Sequence, residues 1–230
     1  MMNLAHSIAI DGPTASGKTT LGKGLADSLK IGFFDTGLMY RAATLSVINN
    51  EIALQDAQKI VEHVKEINLN VIWNVFSNPE IELNGINITE KLREKTIEDN
   101  VSTISKIPEI RTLMVEYQRN HAKKSPIVMA GRDIGTRVLI EAEIKFFLHA
   151  PAEIRATRRM EELKNSGDER SFEDVLEQTK QRDNQDQTGK RAITVEQAAD
   201  DAAIIETADL SIEELVNLCA GIYIKKFGQQ

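Results

Sequence analysis

Short apolar runs alternate with longer amphipathic stretches along this chain. Each run ends at a polar or turn-forming residue, as buried parallel strands do when helices cover both faces of their sheet. The pattern therefore predicts an α/β fold with a doubly wound parallel sheet. The predicted strands are residues 7–10, 31–34, 127–130, 145–148 and 203–206.

Amphipathic helices are predicted between these strands. The helical spacing i, i+3, i+4, i+7 is filled by Ile110, Leu113, Met114 and Tyr117, and again by Ile212, Leu215, Val216 and Cys219. The second of these helices follows Ser211, which stands three residues before Glu214, a spacing typical of a capping box. Both helices are expected to pack their apolar faces on the sheet.

Residues 68–88 interrupt the alternation of strands and helices. Two apolar-alternating arms flank Asn84-Gly85, and this dipeptide is a strong hairpin signal because both turn positions need positive φ. We interpret the segment as a small antiparallel sheet, inserted between a helix that ends near Glu66 and helices that begin near Glu90. The alternative is a hairpin that only extends an edge of the main sheet.

Composition limits the class of protein. The chain has 230 residues, of which 41% are hydrophobic and 27% are charged, so we expect a single globular domain. The net charge of -7 gives no indication of a nucleic-acid partner. One cysteine cannot form an intramolecular disulfide, and no apolar run approaches about 20 residues. We therefore expect a cytoplasmic monomer that does not bind membranes.

A phosphate-binding loop follows the first predicted strand. Residues 12–19 match G-x-x-x-x-G-K-[ST] at every fixed position, between a strand and a helix that is predicted to run from Thr20 to Leu29. Backbone N–H groups and the helix N-terminus would bind the phosphates of a nucleoside triphosphate, Lys18 would reach the β- and γ-phosphates, and Thr19 would bind Mg²⁺. The predicted nucleotide-binding residues are Gly12, Pro13, Thr14, Ala15, Ser16, Gly17, Lys18, Thr19 and Thr20.

Other sequence features narrow the reaction. The base-reading Asn-Lys-x-Asp of GTPases does not occur, and residues 127–130 are followed by Gly131-Arg132-Asp133 rather than by an acidic pair. Arginines lie near the predicted strand ends and on the adjoining helices, and guanidinium groups are suited to bidentate phosphate binding. They are Arg41, Arg111, Arg132, Arg155, Arg158, Arg159 and Arg182.

Three further motifs follow the phosphate loop: DTGLMYR at 35–41, GRDIGT at 131–136 and RDNQD at 182–186. In this order they resemble the bacterial cytidylate kinase family, and the resemblance covers nearly the whole chain. It implies the P-loop nucleoside monophosphate kinase fold, with a five-stranded parallel sheet and a β insertion. It also implies a Mg²⁺-dependent reaction of ATP with CMP or dCMP that gives ADP and CDP or dCDP.

The resemblance also implies roles for individual residues. The monophosphate-binding region would span residues 36–110 and the lid residues 155–190. Arg155, Arg158 and Arg159 would begin the lid and approach the transferring phosphate. Thr36, Arg41 and Arg132 would contact the CMP phosphate. Ser102, Arg111 and Asp133 would contact the cytosine, and Asp186 would contact the ribose. The residues implied in catalysis are Lys18, Arg132, Arg155, Arg159 and Arg182.

The chain departs from the family pattern near the end of the lid. Gly189 stands where the family usually has an arginine, and Ile193-Thr194 replaces the usual Pro-Leu. Our hypothesis is that Lys190 or Arg191 supplies the missing positive charge.

Two alternative functions remain open at this stage. One is a kinase for another small acceptor, such as UMP or shikimate, although the insertion and the motif at 131–133 argue against shikimate. Substrate choice depends on few contacts in such sites. The other is a non-catalytic ATP-binding switch, which would explain the phosphate loop but not the arginines.

Overall fold

The computed structural model describes residues 7–72, 79–165, 167, 169–188 and 194–228. Its main sheet has five parallel strands in the order β2-β6-β1-β7-β8. The strands are β1 Ile8–Asp11, β2 Gly32–Asp35, β6 Ile127–Ala130, β7 Ile144–His149 and β8 Ala203–Glu206. Every predicted strand is confirmed, and the first two begin one residue later than their apolar runs. The α/β fold expected from the sequence is therefore correct.

Helices cover both faces of this sheet. They are α1 Lys18–Leu29, α2 Gly37–Asn49, α3 Ala57–Glu66, α4 Lys95–Ser105, α5 Pro108–Ala122, α6 Ala152–Asn165, α7 Phe172–Thr188 and α8 Ile212–Phe227. Ile8 and Ile10 of β1 lie in one buried cluster with residues of α1 and α8, whereas Ala9 lies in the other cluster with residues of α2 and α5. Alternate side chains of one strand thus pack on opposite helical layers.

The insertion forms a separate antiparallel sheet of β3 Leu69–Ile72, β4 Glu80–Leu83 and β5 Ile86–Asn87. Asn84 and Gly85 join β4 to β5 with φ of 51° and 80°, as the turn prediction required. The predicted hairpin is confirmed, and the alternative that it extends the main sheet is wrong. The buried side chains of β3 and β4 belong to the same apolar cluster as α2.

The remaining helices are α6 and α7, which form a pair, and α8 at the end of the described chain. Helices α6 and α7 pack on each other through a small apolar cluster that includes Ala156, Leu163 and Val175. The predicted capping box of α8 is present, with the Ser211 hydroxyl accepting from Glu214 N, but Ile212 is 61% exposed and does not join the apolar face. In the described part of the chain, no helix is both long enough and apolar enough to cross a membrane.

Candidate active site

Strand order places the functional loops side by side. Because β1 lies between β6 and β7 and all three are parallel, the loops after β1 and β6 leave the same edge of the sheet. Gly131 N donates to Ile10 O at 2.9 Å, and Thr36 N donates to Ala130 O at 3.0 Å. The phosphate loop, the segment after β6 and the start of α2 therefore converge on one edge.

Glycine permits the bends of the phosphate loop. Gly12 has φ of 144°, and a Cβ at this position would lie 2.2 Å from the backbone oxygen of Leu148. Gly17 has φ of 97° and forms the N-cap of α1. Residues 12–17 thus curl around the N-terminus of α1, where the helix dipole and the first N–H groups favour an anion.

Lys18 is buried at the first position of α1. Its Nζ donates to Pro13 O at 2.5 Å and to Ser16 Oγ at 3.3 Å. Burial lowers the pKa of Lys18 well below its ordinary value, and the charge of Arg132 acts in the same direction. A polyanion beside the loop would therefore stabilise the ammonium form.

A hydroxyl of α1 and a carboxylate at the end of β2 lie together beside the phosphate loop. Thr19 Oγ1 donates to Asp35 Oδ2 at 2.9 Å, and Asp35 Oδ1 accepts from Gly37 N at 3.0 Å. Asp35 thus connects α1 to the start of α2. Hydroxyl and carboxylate oxygens are the donors that Mg²⁺ prefers, so this pair fits the predicted metal.

Asp11 supports the segment that follows β6. It is buried at the end of β1, and its carboxylate accepts from Ile134 N at 2.6 Å and from Gly135 N at 2.7 Å. Burial raises the pKa of Asp11 to about 6, although the two N–H bonds act against this rise. The carboxylate holds residues 134–138, which form one π-helical turn, and so fixes the backbone next to Arg132.

A cavity of about 260 Å³ extends from the phosphate loop to α4 and to helices α6 and α7. It brings together most of the residues singled out from the sequence. The predicted residues that line it are Thr14, Ala15, Gly17, Lys18, Thr19, Thr20, Thr36, Arg41, Ser102, Arg111, Arg132, Asp133, Arg159, Arg182 and Asp186. Predicted residues that do not line it are Gly12, Pro13, Ser16, Arg155 and Arg158.

Arg132 joins three parts of the site. Its Nε donates to Asp186 Oδ2 at 2.7 Å, and its NH2 donates to Thr14 Oγ1 at 2.5 Å. The side chain of Asp186 is only 2% exposed. The charge and hydrogen bond of Asp186 raise the pKa of Arg132 even though burial opposes this. This guanidinium is therefore permanently charged at the wall of the cavity.

A second ion pair lines the cavity, between Arg111 of α5, which is buried, and Asp133, which is partly buried. Thr36 is buried nearby and donates its hydroxyl to Ala130 O at 3.0 Å. Arg41 is partly buried and donates to Leu92 O at 3.1 Å. Burial lowers the pKa of Arg41. The predicted acceptor residues thus form one wall that combines carboxylate, hydroxyl and guanidinium groups.

The predicted lid arginines divide into two groups. Arg159 and Arg182 face the cavity. Arg155 is buried below it, where it forms a bidentate pair with Asp183 and donates to Thr14 O at 3.2 Å. Arg158 donates to the hydroxyl and the carbonyl of Thr207, just beyond β8. The expectation that Arg158 approaches a phosphate does not match this position.

Sequence reasoning assigned no role to five acidic residues of the site, Asp11, Asp35, Glu98, Glu162 and Asp183. Asp11 and Asp35 end β1 and β2, and polar residues at strand ends were a signal that could have revealed them. Asp183 belongs to the motif at 182–186 but was assigned no role, and Glu98 and Glu162 had no such signal, since each is one of many charged residues on a helix. Gly189, Lys190 and Arg191 lie outside the described residues, as does the charge compensation suggested for them.

The phosphate loop is bent at glycines, ends in a buried lysine and faces an arginine-lined cavity at one edge of a parallel sheet. These features define a P-loop phosphotransferase of the nucleoside monophosphate kinase fold. A family model described as cytidylate kinase matches residues 8–225. The chain belongs to the cytidylate kinase family.

Individual relatives agree with this assignment. A cytidylate kinase of Caldanaerobacter subterraneus is 43% identical over 94% of this chain and 93% of its own length. One from Clostridium botulinum is 40% identical over 96% of this chain and 98% of its own length. A crystal structure of an uncharacterized protein from Eubacterium ventriosum has a TM-score of 0.51 at 14% identity, covering 95% of this chain and 97% of that one, and supports the fold alone.

Proposed function

We propose that this protein transfers the γ-phosphoryl group of ATP to CMP or dCMP, giving ADP and CDP or dCDP. One observation carries the proposal: the phosphate loop and the Arg111–Asp133 pair line the same cavity. A triphosphate site and a separate polar acceptor site would then share one cavity. Membership of the cytidylate kinase family supports the choice of acceptor.

The donor side is proposed from the loop. Backbone N–H groups of residues 12–20 would bind the β- and γ-phosphates at the N-terminus of α1. Lys18 would turn from the carbonyl of Pro13 to the phosphate oxygens, because an anion is a stronger partner for an ammonium group than a neutral carbonyl.

The acceptor side is proposed from the opposite wall. Arg41, Arg132 and the hydroxyl of Thr36 would bind the acceptor phosphate. Asp133, held by Arg111, would accept from the amino group of cytosine, and Ser102 on α4 would complete the contacts to the base. These side chains provide both donors and acceptors for the polar edge of a pyrimidine.

Asp186 would accept from the ribose hydroxyls. Asp186 pairs with Arg132, so the same arginine would bind the acceptor phosphate and orient the carboxylate that binds the ribose.

Transfer would be direct and in line, without a phosphoenzyme. Phosphoryl transfer depends mainly on positioning and charge neutralisation, and Arg132, Arg159 and Arg182 would supply fixed positive charge around the transferring group. Residues 155–190 would act as the lid and residues 36–110 as the monophosphate-binding region. Closure would exclude water and so suppress hydrolysis of ATP.

Mg²⁺ is proposed at Thr19, with Asp35 beside it. The hydroxyl and carboxylate oxygens of these residues are 2.9 Å apart and suit a hard cation. When bound, the ion would neutralise charge on the β- and γ-phosphates.

An acceptor screen tests the proposal. ADP release is followed in a coupled assay with ATP and Mg²⁺ and with CMP, dCMP, UMP, AMP or GMP as acceptor. We expect CMP and dCMP to be the best acceptors. Higher activity with AMP or GMP would refute the assignment, higher activity with UMP would select that alternative, and ATP binding without turnover would indicate a switch.

A further inference from the structure

Glu98 lies in the cavity although it belongs to no motif of the sequence analysis. It is on α4, one helical turn before Ser102. Its carboxylate pairs with Arg159 of α6, and its Oε1 lies 3.5 Å from NH1 of Arg182 of α7. One carboxylate on the acceptor side therefore contacts both helices of the proposed lid.

The arginines around Glu98 repel one another. Burial lowers the pKa of Arg182 to about 10, and the charges of Arg132 and Arg41 contribute to this fall. Glu98 acts in the opposite direction on Arg182, and it is the largest opposing charge at Arg41. Glu98 thus supplies the negative charge that offsets repulsion where guanidinium groups from α2, α6 and α7 converge.

We propose that Glu98 is a positioning residue for the transfer reaction: it holds Arg159 and Arg182 over the acceptor end of the cavity. The inference rests on the proposed function. An ion pair between two elements favours the arrangement in which it forms, and here it joins α4 to the lid helices. The side chains of Glu98 and Arg159 are 18% and 24% exposed, so solvent screens this pair less than a surface pair.

Glu162 provides a matched control. It also lines the cavity and pairs with Arg159, at 2.8 Å, but it lies on the same helix at i+3 and its side chain is 62% exposed. Neutralising Glu162 removes a carboxylate from the same arginine without affecting any connection between α4 and the lid. A local effect on Arg159 can therefore be separated from the loss of that connection.

The first experiment compares Glu98→Gln and Glu162→Gln with the wild type in steady-state assays with ATP and CMP. We expect Glu98→Gln to lower kcat about tenfold while KM for ATP changes less than about twofold, because the phosphate loop binds the triphosphate independently. Glu162→Gln should stay within about twofold of the wild type in both constants.

A second experiment asks whether Glu98 acts through Arg182. The double variant Glu98→Gln/Arg182→Gln should lose less kcat than the product of the two single-variant losses, since one of the two arginines that Glu98 positions is already absent. A purely structural contribution would instead multiply the two losses and would overturn the proposal.

Other results would also overturn it. If Glu98→Gln keeps the wild-type kcat, the ion pairs do not position the arginines. If it lowers KM for CMP severalfold, Glu98 competes with the acceptor phosphate rather than aiding its binding. Failure of the proposed function is distinguishable, because then the wild type itself phosphorylates no monophosphate in the acceptor screen.

Discussion

Arg132 and Asp186 are 54 residues apart in the chain, yet Nε of the arginine lies 2.7 Å from Oδ2 of the aspartate. The pair joins the segment after β6 to α7, and the same guanidinium also donates to Thr14 of the phosphate loop. The proposed donor site, acceptor site and lid are therefore connected through one side chain.

Arg132→Lys tests this connection. A lysine keeps the charge but cannot bind Thr14 and Asp186 at once, so kcat/KM for CMP should fall about 100-fold. The matched control is Arg158→Lys, since Arg158 contacts Thr207 rather than the cavity. Steady-state kinetics of both variants check the prediction. Equal losses would contradict the different positions of the two arginines.

Lys18→Met tests the donor site. The variant should lose at least about 100-fold in kcat, because Lys18 is the charged side chain proposed to reach the β- and γ-phosphates from the phosphate loop. Circular dichroism should show a folded protein, since methionine preserves the volume of the buried stem. Lys23→Met on the same helix is the control and should keep near wild-type activity; a comparable loss there would point to helix damage instead.

Asp133→Asn tests the buried pair at the acceptor end. The side chains of Arg111 and Asp133 are 7% and 13% exposed, and the variant leaves Arg111 without its counter-charge. We expect the free energy of unfolding in urea to fall by about 3 kcal/mol and KM for CMP to rise, while KM for ATP stays the same.

The exposed pair of Lys95 and Asp99 is the control for this variant. Asp99→Asn should change the stability too little to measure, because solvent screens the charges of this pair. A similar loss in both variants would show that burial does not determine the contribution of the Arg111–Asp133 pair.

Asp11 predicts a pH dependence of stability. Its pKa rises from 3.8 to about 6 on folding, mainly through burial, so the folded protein binds the proton more tightly than the unfolded chain does. The contribution of Asp11 is therefore fully present below its unfolded pKa and is lost as pH rises through about 6. Between about pH 4 and pH 7 this loss amounts to about 2 kcal/mol.

The measurement is urea unfolding of the wild type and Asp11→Asn at several pH values. The unfolding free energy of Asp11→Asn minus that of the wild type should increase as pH rises through this window. A difference that does not vary with pH would show that Asp11 titrates at an ordinary pKa in the folded protein.

Local patterns were sufficient to predict the strands of the main sheet and the hairpin. Apolar runs located the strands because a buried parallel strand must be apolar on both faces, and Asn84-Gly85 located the hairpin because few other dipeptides adopt positive φ at both positions. Ile212 was assigned to the core because its spacing fits the helical period, but it is exposed in the first turn of α8.

The amino-acid sequence by itself therefore determined the α/β class, the phosphate loop and the family motifs, since each depends on residues that are close together in the chain. Only the tertiary structure decided which arginines face the cavity. Arg155, Arg158 and Arg159 share one helix, yet they contact Asp183, Thr207 and Glu98 respectively. A charge on a helix surface acquires a role only from the elements that pack beside it, and the local sequence does not specify those neighbours.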